Sequence, residues 1–256
     1  MIFYFSATGN CLSVAKNIGA ALETEIVSIP QAIHNDIKEY SDNVIGIVFP
    51  VYDGGAPKMV CDFLKQVELK ADYIFAIATY GFSSGNPFRY IDEAVGGRYK
   101  IHYSNTLKMV DNFVDGFEMN SQMKGLPKKD VEGHLKAIIS DLTERKNGTY
   151  QITTLGKIQT VLMKSMYKKS TRPDASNRFT IDENCIQCGI CSKVCPGGNI
   201  EVTDCTRFLN KSCQGCYACI HACPKHSIHL KTERSDARYR NPEVKLQEII
   251  EANNQR

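Results

Sequence analysis

The chain has 256 residues, 43% hydrophobic and 23% charged, with mean hydropathy −0.28 and formal net charge +3, an ordinary globular composition sufficient for one large or two modest domains. No apolar run reaches the ~18–20 residues of a membrane-spanning helix and no basic leader precedes the strand-like start, so neither a transmembrane segment nor secretion is expected, and a cytoplasmic setting is. The charge divides as −3 over residues 1–156, +5 over 157–178 and +1 over 179–256; the excess sits in one short stretch, and no nucleic-acid partner is indicated.

Residues 1–150 alternate in period. Strand-like apolar runs lie at 2–5, 25–29, 44–51, 73–79 and around 99–110, several too continuously apolar to have a wet face. Helical spacing falls between them: Leu12, Ala15, Ile18 and Leu22; Val60, Phe63, Leu64 and Val67 after Pro57; Phe88, Ile91 and Val95 after Pro87; and Val131, Leu135, Ile138 and Leu142 after Pro127. Strands alternating with helices predict an α/β fold, a doubly wound parallel five-stranded sheet with helices on both faces.

Such sheets bind ligands beyond the carboxyl ends of their strands, so the loops after the strands are the place to look. The first is Ser6-Ala7-Thr8-Gly9-Asn10-Cys11. Small residues, hydroxyls and one glycine before a helix N-terminus let backbone N–H groups converge on a phosphate. It is neither a Walker A sequence nor a dinucleotide turn, having no P-loop lysine and too few glycines. The second is Pro50-Val51-Tyr52-Asp53-Gly54-Gly55-Ala56-Pro57, and the third Thr79-Tyr80-Gly81-Phe82-Ser83-Ser84-Gly85-Asn86. The run Phe5-Ser6-Ala7-Thr8-Gly9-Asn10 resembles the flavodoxin loop around the FMN phosphate, and FMN in that family lies at the switch between the first and third strands. The resemblance implies that Tyr52 stacks on the isoalloxazine ring, that Gly54 or Gly55 lets a peptide turn toward it, and that the Tyr80 loop closes its other side. Two positions depart from the family: Cys11 stands where Ser or Thr is usual, and Asp53 where a second aromatic is common. Cys11, at a helix N-terminus, is also readable as a reactive nucleophile. The segment 109–117, leaving the fifth strand at the same end, reads either as a lid over the cofactor or as a surface loop.

Residues 151–178 form a connector in which Leu155, Ile158, Val161, Leu162 and Met166 keep helical spacing, with Lys157, Lys164, Lys168 and Lys169 on other faces. A basic amphipathic helix of this kind suits docking on a neighbouring domain, a membrane surface or an acidic partner.

Nine of the eleven cysteines lie between 185 and 223. Cys185, Cys188, Cys191 and Cys195 before Pro196 read C-x-x-C-x-x-C-x-x-x-C-P, and Cys213, Cys216, Cys219 and Cys223 before Pro224 repeat the pattern at an offset of 28. The offset extends to Ile181 with Leu209 and Ile200 with Ile228, an internal duplication expected to give each half one hairpin and one cluster loop. Three thiolates at i, i+3 and i+6 hold three irons of a cubane locally, and the C-P cysteine serves the other cubane. The expected ligand sets for two [4Fe-4S] clusters are therefore Cys185, Cys188, Cys191 and Cys223, and Cys213, Cys216, Cys219 and Cys195. Zinc would call for separated pairs instead. Cys205 reads as a partly buried bystander, and His221, His226 and His229 as surface or supporting groups. Asn241-Pro242-Glu243 looks like a helix start with Leu246, Ile249 and Ile250 on its apolar side, packing on one of the domains.

The whole chain resembles flavodoxin-ferredoxin fusion proteins of anaerobic bacteria: a flavodoxin-like FMN domain over 1–150 and a small α+β two-cluster ferredoxin-like domain over 179–256. That resemblance implies electron transfer between redox partner proteins, ferredoxin-like donors or acceptors, with no catalytic residue. Clusters move one electron and FMN one or two, so the combination couples the two kinds of traffic. The alternative is an FMN-dependent oxidoreductase acting on a small-molecule substrate at the flavin and fed by the clusters.

Overall fold

The computed structural model describes residues 1–152, 156 and 174–255, and the connector helix expected around Ile158 and Val161 lies outside them. The first domain is a five-stranded, all-parallel sheet of β1 (Ile2–Tyr4), β2 (Ile26–Ser28), β4 (Val44–Pro50), β6 (Tyr73–Tyr80) and β7 (Tyr103–Lys108) in the order β2-β1-β4-β6-β7. The direction of travel reverses between β1 and β4. Right-handed crossovers therefore place the helices before and after the reversal on opposite faces. Accordingly α1 (Asn10–Ala21) packs with α6 (Val131–Thr143), and α3 (Lys58–Gln66) with α4 (Pro87–Val95). The central strands are buried on both faces, with Ile45, Ile47, Val48, Phe49, Phe75 and Ile77 fully covered, as their unbroken apolar runs require.

Three elements carry no periodic signal long enough to read: α2 (Ile29–His34) and the short parallel pair β3 (Glu39–Ser41) and β5 (Glu68–Lys70). A six-residue helix or a three-residue strand is shorter than the pattern that would reveal it.

In the second domain, β8 (Phe179–Ile181) pairs antiparallel with β11 (Ile228–Leu230), and β9 (Ile200–Val202) with β10 (Thr206–Phe208). This corrects the expectation of one hairpin within each half. Each two-stranded sheet takes one strand from either copy of the duplication, so strand pairing crosses between the halves. Among the described residues, no helix is long and apolar enough to cross a membrane.

The C-terminal segment also departs from expectation. Helix formation starts at Leu246, not at Pro242, with the Lys245 N–H donating to the Glu248 side chain at 2.7 Å. Residues 239–245 instead run over the first loop, and the helix Leu246–Asn253 touches both domains. The sheet's hydrophobic core continues without a break into Val194, Ala218, Val244, Ile249 and Ala252.

Candidate cofactor sites

The carboxyl ends of β1, β4, β6 and β7 surround a cavity of ≈ 340 Å³, within the range of small-ligand sites. Ser6, Ala7, Thr8, Asn10 and Cys11 line it from the first loop, Pro50, Val51, Tyr52, Asp53 and Gly54 from the second, and Thr79, Tyr80, Gly81 and Phe82 from the third. Gly9 and Gly55 stand behind this lining. Gly9 turns the chain out of β1 with φ of 98°, a conformation open chiefly to glycine, and is the N-cap of α1. Gly55 closes a tight loop through paired backbone hydrogen bonds with Tyr52.

The first turn of a helix has N–H groups without intrahelical partners, and here it lines the same cavity as the buried Ser6 hydroxyl, whose Oγ has no partner among the described residues. A terminal phosphate fits such a donor set. Cys11 Sγ lies 3.1 Å from Thr79 Oγ1, joining the first and third loops. Burial pushes its thiol up to about 12, so it is uncharged at neutral pH and lacks the activation a nucleophile needs. The Tyr52 ring meets Phe5 edge-on, with centroids 6.2 Å apart, and its buried hydroxyl has no hydrogen-bond partner among the described residues.

The segment after β7 is a lid. Val114 is fully buried within it, and Val110, Asn112, Phe113 and Phe117 line the cavity from it. Asn112 donates to Thr8 Oγ1 at 3.0 Å, and Asn10 donates to the Val110 carbonyl at 3.1 Å. Asp111 accepts from the N–H groups of Phe82 and Phe113 at 2.9 and 3.0 Å, tying the third loop to the lid, and burial raises its carboxyl. A Cβ on Gly81 would stand 2.1 Å from that of Asp111, so this junction has room only for glycine. Phe82, Phe113 and Phe117 form an aromatic run at the mouth.

Three lining residues come from the cysteine-rich domain: Gln214, Gly215 and Tyr217. They lie inside the second motif, at positions written as x, and nothing in the spacing distinguishes them. Tyr217 has φ of 60°, unusual for a bulky side chain and costing roughly 1–2 kcal/mol. Its ring packs on Phe113 and Phe179 at 5.7 and 6.0 Å. Arg178 lies 5.3 Å from that ring, donates to its hydroxyl, and pairs with Asp115 of the lid at 3.5 Å.

The cysteines gather in two small cavities. One is lined by Cys185, Cys188, Cys191 and Cys223; the other by Cys195, Cys213, Cys216 and Cys219. The second shares Gln214 and Tyr217 with the large cavity and is the proximal one; the first is distal to it. Equivalent contacts recur at the duplication offset: the Asn199 N–H donates to Cys195 Sγ and the Ser227 N–H to Cys223 Sγ, each at 3.3 Å. Among the described residues, no three of these sulfurs lie within 4.8 Å of one another. Burial, with neighbouring thiolates adding to it, raises the Cys191 thiol to about 12 and pushes Cys216 and Cys219 up as well, so these groups hold their protons until a bound metal displaces them.

Cys188 is exposed, and so is Cys205, which belongs to neither group and is not partly buried as expected. Of the two readings of His221, surface or supporting, its contacts match the supporting one. It is buried, not at the surface, and its Nδ1 accepts from the Tyr239 N–H at 3.0 Å. The ring proton therefore sits on Nε2, which donates to the Asn112 carbonyl of the lid at 2.8 Å. Burial lowers its pKa to about 4, keeping it neutral.

The C-terminal segment completes the enclosure. The Asn241 N–H donates to the Thr8 carbonyl at 2.8 Å, and both Tyr239 and Asn241 donate to Asn10 Oδ1, at 2.7 and 3.2 Å. Asn253 Nδ2 is shared between the Ser6 and Val194 carbonyls at 2.9 and 3.3 Å, one in each domain.

Residues 134–242 match the family model of a 4Fe-4S dicluster domain. No curated protein matches the chain. Among solved structures it is similar to a candidate flavoprotein from Bacteroides uniformis, at 17% identity and TM-score 0.34, over 48% of this chain and 94% of that one. A candidate flavoprotein from Bacteroides eggerthii aligns at 17% identity and TM-score 0.32, over 51% and 96%. The rubredoxin oxygen:oxidoreductase of the anaerobe Desulfovibrio gigas aligns at 15% identity and TM-score 0.34, over 53% of this chain and 35% of that one. In sum, a flavodoxin-like α/β domain precedes a cysteine-rich domain that is similar to 4Fe-4S dicluster domains.

Proposed function

We propose that the chain is an electron-transfer protein of the flavodoxin-ferredoxin fusion type, with two [4Fe-4S] clusters on the two cysteine quartets and FMN in the three-loop cavity. The observation that carries this reading is the shared wall: Gln214 and Tyr217 line both the cofactor cavity and the proximal quartet. Bound clusters supply one-electron steps and FMN one- or two-electron steps.

The chain's own residues have distinct parts in this reading. Ser6, Thr8 and the first turn of α1 hold the phosphate end. Cys11, protonated and engaged with Thr79, fixes the spacing of two loops and carries no charge into the site. Asp111 and Asn112 hold the lid against the third and first loops, while Phe82, Phe113 and Phe117 keep bulk water from the cavity. Cys188 is the exposed ligand, so the distal quartet faces partners such as ferredoxin-like donors or acceptors. No residue is catalytic. A reducing, cytoplasmic environment fits a chain with this many free thiols.

Anaerobic purification tests the proposal: about eight iron and eight acid-labile sulfide per chain are expected, with one FMN. A low-potential ferredoxin should reduce the flavin readily, and NADH or NADPH poorly. Zinc in place of iron, or FAD in place of FMN, would overturn the cofactor assignment. Rapid NADPH reduction coupled to turnover of a small molecule would replace the carrier reading with an oxidoreductase.

A further inference from the structure

The duplication supplies an internal control for one residue of the cofactor cavity. Subtracting the offset of 28 from Tyr217 gives Gly189. Both sit at the N-cap of a short helix, with φ of 60° and 75°. The neighbouring pairs behave alike: Gln187 and Gly215 have φ of 54° and 62°, Gly198 and His226 of 58° and 52°. The cluster loop thus imposes one backbone shape on both halves, and at this position the left-handed turn suits glycine. Only the proximal half gives it to a tyrosine.

The surroundings differ in the same way. A Cβ built on Gly189 meets nothing within 4 Å. The Tyr217 side chain instead forms part of the cavity wall, held by Arg178 and packed between Phe113 of the lid and Phe179. Nothing in binding a cubane asks for this ring, since the distal quartet manages without it. Resting on the flavin reading above, we propose that Tyr217 is a flavin-binding residue supplied by the iron-sulfur domain, so that flavin affinity depends on the proximal cluster loop and not on the distal one. The dependence follows because that loop takes its shape from the metal it wraps, as small metal-folded elements do. Loss of the proximal cluster frees the backbone that aims the ring.

The test uses the full chain, with clusters reconstituted anaerobically and flavin removed, and measures FMN affinity by equilibrium dialysis alongside iron content. Tyr217→Gly restores the residue of the duplicate loop; it should keep its iron and weaken FMN binding about tenfold or more, as removal of an aromatic wall does. Tyr217→Phe, which keeps the ring and its stacking under Arg178 but loses the Arg178 hydrogen bond to the hydroxyl, should fall between Tyr217→Gly and the unmodified chain. Cys195→Ala and Cys188→Ala should each lose about half the iron, yet only Cys195→Ala should match Tyr217→Gly in lost affinity. An FMN affinity unchanged in Tyr217→Gly would overturn the proposal, as would iron loss in that variant or equal flavin loss in the two cysteine variants. An unmodified chain that binds no FMN would overturn the flavin reading itself.

Discussion

At the scale of single residues, His229 shows how local charge sets a pH response. Its Nδ1 is 2.6 Å from Glu233 and its Nε2 3.0 Å from Asp182, while Arg238 lies 3.3 Å from the same Glu233 oxygen. The hydrogen bond that its ring donates to Glu233 raises its pKa most, burial opposes it, and the one to Asp182 adds to the rise. An unfolded histidine titrates near 6.5. A raised folded value means that the folded chain binds the proton more tightly, so the stabilisation is complete below about 6.5 and disappears as pH climbs through the folded value. Urea midpoints of the intact chain should fall across that window, and His229→Gln should flatten the fall; an equal slope in the variant would refute the assignment. Cys11 illustrates the other side of residue-level reading. Its departure from the flavodoxin pattern was visible in the sequence, but its bond to Thr79 was not, because the two are 68 positions apart in the chain.

At the scale of elements, the C-terminal segment does more than a tail ordinarily does. Ser28 donates to the Ala252 carbonyl, Gln31 to the Asn254 carbonyl at 2.6 Å, and Lys16 pairs with Glu248 at 2.8 Å, so the helix Leu246–Asn253 is bound to the first domain along its length. Asn253 is fully buried and is its most exacting member. Asn253→Ala would leave the Ser6 and Val194 carbonyls without this donor, a loss of about 1–3 kcal/mol in unfolding free energy. Denaturant titration should show it, and a change within about 0.5 kcal/mol, ordinary for a surface substitution, would count against the bridging role. The Asn-Pro-Glu run imitates a helix start, yet the Asn241 N–H goes to Thr8 and the Glu243 carboxylate accepts from Ser13. Partners more than two hundred residues away decide the local conformation. The same limit explains the ferredoxin-type strands: the duplication was readable from Ile181, Ile200, Leu209 and Ile228, whereas which strand pairs with which depends on how the two halves interlock. The long buried strands of the first domain needed no such help, since their length and continuity already demand two covered faces.

At the scale of the whole molecule, the cofactor cavity belongs to neither domain alone. The three loops were recognisable by position and composition, but a wall made by Gln214, Gly215 and Tyr217 cannot be inferred from motifs assigned to a separate module. Truncation to residues 1–152 removes that wall together with Tyr239, Asn241 and Asn253. Such a fragment should bind FMN at least about tenfold more weakly than the full chain, from lost contacts and a less ordered first loop. Equal affinity by dialysis would mean that the second domain only rests against the site.

The contact between Tyr239 and Asn10 spans 229 positions, and that separation has a temporal meaning. A ribosome adding about 5–20 residues per second needs roughly ten to fifty seconds to travel between them. From residue 143 onward the nascent first domain has all the strands and helices of its sheet, while its first loop stays uncovered. The first loop is therefore covered only after residue 239 has been made, and a chain stalled between residues 143 and 239 would carry every strand of the sheet with an open mouth.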